Sequence, residues 1–144
     1  MSVRMRFITD NYILKPRTEP RESEASLRQS LIELFPDRAI IFDLECRELK
    51  NGQPLLEYDA VVWNKESVLF IECKSPTTYR NYRAREAQSW RDVSKKIAKE
   101  LGFSEYATII VVKGCGEEGV RRKGGVKVVP LERLADLEVE YEKI

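Results

Sequence analysis

The chain contains no histidine among its 144 residues. That absence removes Ser-His-Asp and Cys-His nucleophilic chemistry and takes away the commonest zinc ligand. Cysteine is sparse as well. Cys46, Cys73 and Cys115 are odd in number, widely spaced and form no CxxC pair, so neither a disulfide framework nor a zinc site is expected. No apolar run approaches the roughly 20 residues of a membrane span. The opening MSVRMRFITD lacks the apolar core of a signal peptide. The expectation is a cytoplasmic protein with no membrane partner. Excess charge of one sign is also missing, since 25 Lys and Arg face 24 Asp and Glu, for a net charge of +1. If the protein is an enzyme, its proton transfers fall to Asp, Glu, Lys or Tyr.

What is present describes a globular chain. Hydrophobic residues make up 42% and charged residues 34%, a balance that can bury a core in a single domain of this length. The near-neutral total hides an uneven distribution. Between Thr77 and Lys99 seven positive residues stand against Glu86 and Asp92, a local excess of +5. The tail from Leu131 carries five acids against Arg133 and Lys143. A basic segment of this kind can grip the phosphates of a polyanion, or be no more than a solvated helix face.

Patterning along the chain gives one α/β domain, residues 20–144, preceded by a strand or hairpin arm over residues 1–19. A helix begins near Pro20, with Glu24, Leu27, Leu31 and Leu34 at helical spacing, and ends at Pro36. AIIFDLECREL is a strand, and Leu55–Trp63 and Ser67–Lys74 are two more, joined across Asn64–Glu66. Pro76 ends the third strand. Trp90, Val93, Ile97 and Leu101 form a helical stripe with Gly102 as its cap, and YATIIVVK is a strand buried on both faces. A short helix near Glu117–Arg122, a strand at GVKVV and a helix at LERLADL complete the order α-β-β-β-α-β-(α)-β-α. That order is a central mixed sheet flanked by helices.

Chemistry concentrates in LLEYDAVVWNKESVLFIECKSP. Asp59 and Glu72 interrupt runs of Val, Ile, Leu, Phe and Trp, and Lys74 follows Glu72 by two positions. Two apart on a strand is the same face, so Glu72 and Lys74 project together and Cys73 points the other way. Glu57 and Asp59 share a face by the same rule, and a tight hairpin brings Asp59 beside the Glu72 and Lys74 pair. Glu24, on the core side of the first helix, can join them. Salt bridges within the hairpin would account for any one of these charges. A whole set of carboxylates in apolar strands repels itself unless a cation neutralises it. Mg²⁺ or Mn²⁺ does so with oxygen ligands and activates a water, with Lys74 orienting that water or offsetting developing charge.

These residues resemble the motif of the PD-(D/E)XK nuclease superfamily: an acid on a first helix, Tyr58-Asp59 on a second strand, and Glu72-Cys73-Lys74 on the third. The stretch is similar to the nuclease domain found with CARF sensor domains in CRISPR-ancillary effectors, and to archaeal Holliday-junction resolvases. The likeness runs from about Glu22 to Leu137, with Tyr58 where proline is common. It implies a restriction-endonuclease-like core and a metal-dependent endonuclease. Asp59 and Glu72 would bind Mg²⁺ or Mn²⁺, with the Cys73 carbonyl as a further ligand. Lys74 would serve the nucleophilic water, and Glu24, with Glu22 as its competitor, would act on or near the metal.

Nucleic acid is the expected partner, DNA before RNA, with Arg80, Arg83 and Arg85 as phosphate contacts and Tyr82 beside them. A homodimer is open, because cutting two strands needs two sites. Two other readings stand beside the nuclease: a non-catalytic binding or assembly module on the same fold, and a Holliday-junction resolvase. The sequence also spells GxGxxG at Gly114-Cys115-Gly116-Glu117-Glu118-Gly119. Its two glutamates would repel a pyrophosphate, so a nucleotide site is not expected there.

Overall fold

A computed structural model describes residues 7–17, 25–114 and 121–144. Its elements are β1 (Tyr12–Pro16), α1 (Ala25–Leu34), β2 (Ala39–Glu48), β3 (Pro54–Trp63), β4 (Ser67–Lys74), α2 (Pro76–Asn81), α3 (Ala84–Leu101), β5 (Glu105–Val112), β6 (Arg121–Lys123), β7 (Val126–Pro130), a 3-10 helix (Leu131–Asp136) and β8 (Glu142–Lys143). The strands form one sheet in the order β1-β2-β3-β4-β5-β7-β6, with β8 also on β5. Pairings from β1 to β4 are antiparallel, while β4 with β5 and β5 with β7 are parallel. The fold is therefore α/β, a mixed sheet flanked by helices, as the patterning indicated.

Helices cover both faces because the central strands are apolar on both. Val68 and Phe70 of β4 join a core cluster with Trp90, Ile97 and Ala98 of α3. Leu69 and Ile71, pointing the other way, join one with Leu27 and Leu31 of α1 and with Leu134. The stripe expected on α3 is the one buried, and Gly102 ends that helix at φ +92 with its N–H on the Ala98 and Lys99 carbonyls.

Several elements differ from the sequence expectation. Tyr12–Pro16 of the N-terminal arm is also paired into the main sheet against β2, with Leu14 buried, while an Ile8↔Ile13 bridge lies on its outer side. Pro76 does more than end β4: Ser75 caps α2, its Oγ accepting from the Thr78 N–H, and Pro76 occupies the first turn, where no intrahelical N–H is needed. The segment expected to be helical near Glu117–Arg122 lies partly outside the described residues, and its end, from Arg121, is strand β6. LERLAD is a 3-10 helix.

The alternation of side chains along β2 is broken at one point. Phe42 packs on the α1 side and Leu44 on the α3 side, although two residues apart on a strand normally share a face. Asp43 between them has φ +57, a left-handed conformation that Asp tolerates better than most residues. Strand β3 reverses in the same row: Tyr58 faces α3 and Ala60 faces α1. The pairs Phe42↔Ala60 and Leu44↔Tyr58 flank the reversal. Asp43 and Asp59 thus stand opposite each other where both strands change face.

Tyr58 locks the α3 side of this row. It is fully buried, stacks on Phe70 with centroids 4.6 Å apart, and meets Trp90 edge-on at 5.7 Å. Ser94 Oγ donates to the Trp90 carbonyl, so its one proton is committed, and the Tyr58 hydroxyl must donate to Ser94 Oγ at 2.7 Å. Burial holds the Tyr58 pKa well above its ordinary value. Tyr58→Phe is expected to cost about 1–2 kcal/mol in chemical denaturation, because a buried acceptor loses its donor while packing survives. A loss under a few tenths would mean that the hydrogen bond contributes nothing.

Candidate functional site

The site begins where two strands part. The β3–β4 ladder runs from Trp63↔Val68 to Ala60↔Ile71 and stops. The next residue on each strand is Asp59 and Glu72. Beyond the last pair, the Cys73 N–H donates to Asp59 Oδ2 at 2.6 Å, so a carboxylate replaces the backbone partner. On its other side β4 stays paired to β5 through Glu72↔Ile110 and Lys74↔Val112. The opening therefore lies between β3 and β4, with its β4 wall held rigid by a parallel ladder.

Arg17 fills that opening. It follows Pro16 at the end of β1, and its own N–H donates to the Asp43 carbonyl. Its guanidinium lies 3.2 Å from Asp59 Oδ1, 3.7 Å from Asp43 Oδ1, 3.7 Å from Glu57 Oε2 and 3.9 Å from Glu72 Oε2. The Arg17 side chain is only 3% exposed, whereas that of Glu57 is 51% exposed. None of the three guanidinium nitrogens makes a hydrogen bond of acceptable geometry, nor does Glu72 Oε2. Arg28 of α1 also reaches Asp43, its Nη2 donating to Oδ2 at 2.8 Å.

Crowding and burial shape the acids. Glu72 is raised from 4.5 to about 8, chiefly by burial and then by the neighbouring Asp59 charge, against the pull of Lys74 and Arg17. The Cys73 thiol is pushed up to about 12, again mainly by burial, so it is no thiolate nucleophile. Lys74 Nζ sits 4.1 Å from the centre of the Tyr82 ring, a cation–π seat on the α3 side. Burial pushes Tyr82 up to about 12, which keeps that ring a neutral phenol. Lys123 ties down the helix bearing these rings: its Nζ donates to the Tyr79 and Tyr82 carbonyls, both at 2.8 Å, and lies 3.7 Å from the Tyr79 centroid.

The structure brings Asp59, Glu72 and the Cys73 backbone together, with Lys74 one step further along β4. The Cys73 side chain packs on the α1 side. Arg80, Arg83 and Arg85 are exposed, on α2 and the first turn of α3, beside half-buried Tyr82. Glu24, its competitor Glu22 and most of the GxGxxG stretch lie outside the described residues. Two members were missed by sequence reasoning. Asp43 carries the signal used for Asp59, an acid breaking the apolar run IIFDL. Arg17 carried none, because its role depends on where an edge strand delivers it.

Among the described residues no three His, Cys, Asp or Glu side chains converge in a way ready to hold a metal ion; the positive group between Asp43, Asp59 and Glu72 is the Arg17 guanidinium. The oxygen donors themselves suit a hard divalent cation, and Glu72 Oε2 has no hydrogen bond to give up. No described helix is long and apolar enough to cross a membrane.

No family model matches the chain, and no curated protein matches it at a significant level. Among solved structures, the crystal structure of protein VC1899 from Vibrio cholerae is similar at a TM-score of 0.43 and 15% identity. The match covers 78% of this chain and 29% of that one. A likeness at this level carries neither fold nor activity.

Proposed function

We propose that the chain is a Mg²⁺- or Mn²⁺-dependent nuclease built on a restriction-endonuclease-like core, hydrolysing phosphodiester bonds of nucleic acid, DNA before RNA. The observation that carries this reading is the pair of acids, Asp59 buried and Glu72 mostly so, at the point where β3 and β4 separate. Buried acids in an opening that one strand leaves to another are costly as structure and useful as ligands.

Each residue then has a task. Asp59 is oriented by the Cys73 N–H on Oδ2, which leaves Oδ1 facing the opening. Glu72 offers an oxygen with no competing hydrogen bond. A bound divalent cation would supply a water of lowered pKa and neutralise charge on the attacked phosphate. Lys74, held over Tyr82, positions its ammonium for that water or for the phosphate oxygens. Arg80, Arg83 and Arg85 are free at the surface to hold flanking phosphates. Glu24, outside the described residues, keeps the role that the resemblance to the nuclease motif implies.

A second reading has its own support. Arg17 already neutralises the acids, as it would in a module that binds nucleic acid without cutting it. The discriminating experiment incubates the protein with single- and double-stranded DNA, RNA and four-way junctions, with and without Mn²⁺, beside calorimetry of Mn²⁺ alone. The nuclease reading expects Mn²⁺ uptake and Mn²⁺-dependent cleavage of at least one substrate. Binding without cleavage or uptake selects the module, and preference for junctions over linear duplex selects a resolvase. Changing Arg80, Arg83 and Arg85 together to Gln is expected to weaken binding across sequences. It should also lower the slope of log affinity against log salt by roughly 2 to 3, near 0.9 for each lost phosphate contact. An unchanged slope would remove these arginines from the interface.

A further inference from the structure

The Arg17 guanidinium is an odd occupant of its seat. Arginine is a planar fork with five N–H donors, and its strong pairings are bidentate and hydrogen-bonded. Here four carboxylates lie within 3.2–3.9 Å, yet no guanidinium nitrogen meets hydrogen-bond geometry with any of them. The side chain is nine-tenths buried and more, so water does not replace those bonds. It is held by charge and not by directed bonding. A seat that rewards charge and ignores donor geometry suits a small spherical cation better than a fork, since a divalent ion asks only for oxygens around it.

The backbone of Arg17 is held independently of its side chain. Arg17 is anchored by its backbone, through Pro16 opposite Leu44 and its own N–H on the Asp43 carbonyl. Its side chain can therefore leave the acids by rotation without moving the edge strand. Asp43 keeps the 2.8 Å bond from Arg28 when that happens, so the acids released are Asp59, Glu72 and Glu57, of which Glu57 is half exposed to water.

We propose that Arg17 is a displaceable counter-ion: its guanidinium and a divalent cation compete for one seat between Asp59 and Glu72, and the metal enters as the arginine swings out. The identity of the competitor rests on the nuclease reading, while the seat and its occupant are independent of it. Without metal the acids are neutralised and closed off; with metal the same acids face whatever is bound at the opening.

The test is calorimetric titration of Mn²⁺ into metal-free wild type and Arg17→Met, without nucleic acid. Competition expects Arg17→Met to bind Mn²⁺ at least tenfold more tightly. Equal or weaker binding by the variant, with Mn²⁺ taken up by wild type, overturns the inference and leaves the metal reading standing. If neither protein takes up Mn²⁺, the metal reading fails and the displacement fails with it. Should Arg17→Met not fold, wild type answers by nuclear magnetic resonance. The Arg17 Nε–H is expected to be protected from exchange in metal-free protein and to lose protection at saturating Mg²⁺. A signal unchanged by bound Mg²⁺ overturns the displacement.

Discussion

Glu72→Gln is expected to lower metal-dependent cleavage by on the order of a thousandfold while leaving the fold and nucleic-acid binding intact. Glutamine matches glutamate in shape and keeps one oxygen, but it cannot present a negative charge to a cation. What is lost is several kcal/mol of charge stabilisation at the attacked phosphate, which corresponds to about three orders of magnitude in rate. Structure should survive because Glu72 Oε2 makes no hydrogen bond that the amide would break. Single-turnover cleavage in Mn²⁺, with circular dichroism and binding affinity alongside, separates the chemical step from the rest. A variant that cuts within tenfold of wild type would remove Glu72 from the chemistry.

The same side chain is expected to govern how stability depends on pH in metal-free protein. Glu72 has its pKa raised from 4.5 to about 8 by burial and by Asp59. Between those values the folded chain retains a proton that the unfolded chain has released. The group's contribution is therefore fully present below about pH 4.5 and is lost as pH rises towards 8. The slope approaches about 1.4 kcal/mol per pH unit. Glu45 and Glu142 shift the other way, lowered first of all by hydrogen bonds from Arg47 and Arg91. Their stabilisation is lost as pH falls through their folded pKa values, on the acid side of the Glu72 window. Urea melts from pH 5 to 8 in the presence of a chelator should thus show wild type weakening while Glu72→Gln stays nearly flat. Parallel curves for the two proteins would show that Glu72 is ionised throughout.

The legible parts of this molecule were those governed by local rules. Apolar stripes on the helices, the Gly102 cap and the hairpin of β3 and β4 follow from periodicity and turn chemistry, and they hold. So does the oddity of acids within apolar strands. Strict alternation took Glu57 and Asp59 to one face, but the strand reverses at Asp59, and the strands' separation, not a shared face, brings Asp59 to Cys73. Asp43 went unnoticed although it broke its run just as Asp59 did, because its meaning lies in the register with β3. Arg17 was illegible for a stronger reason: its partners are 26 to 55 positions away, and only the assembled sheet brings them within reach. Pro76 shows the converse, a residue correctly read as a stop for β4 that is also a helix start.

The paired reversal of β2 and β3 makes these two strands a single transferable part. A one-residue deletion in either strand alone would break the Phe42↔Ala60 and Leu44↔Tyr58 pairings and turn core side chains toward the wrong helix. A designer grafting the site onto another sheet would have to move both strands together, kink included, with the edge strand that delivers the arginine.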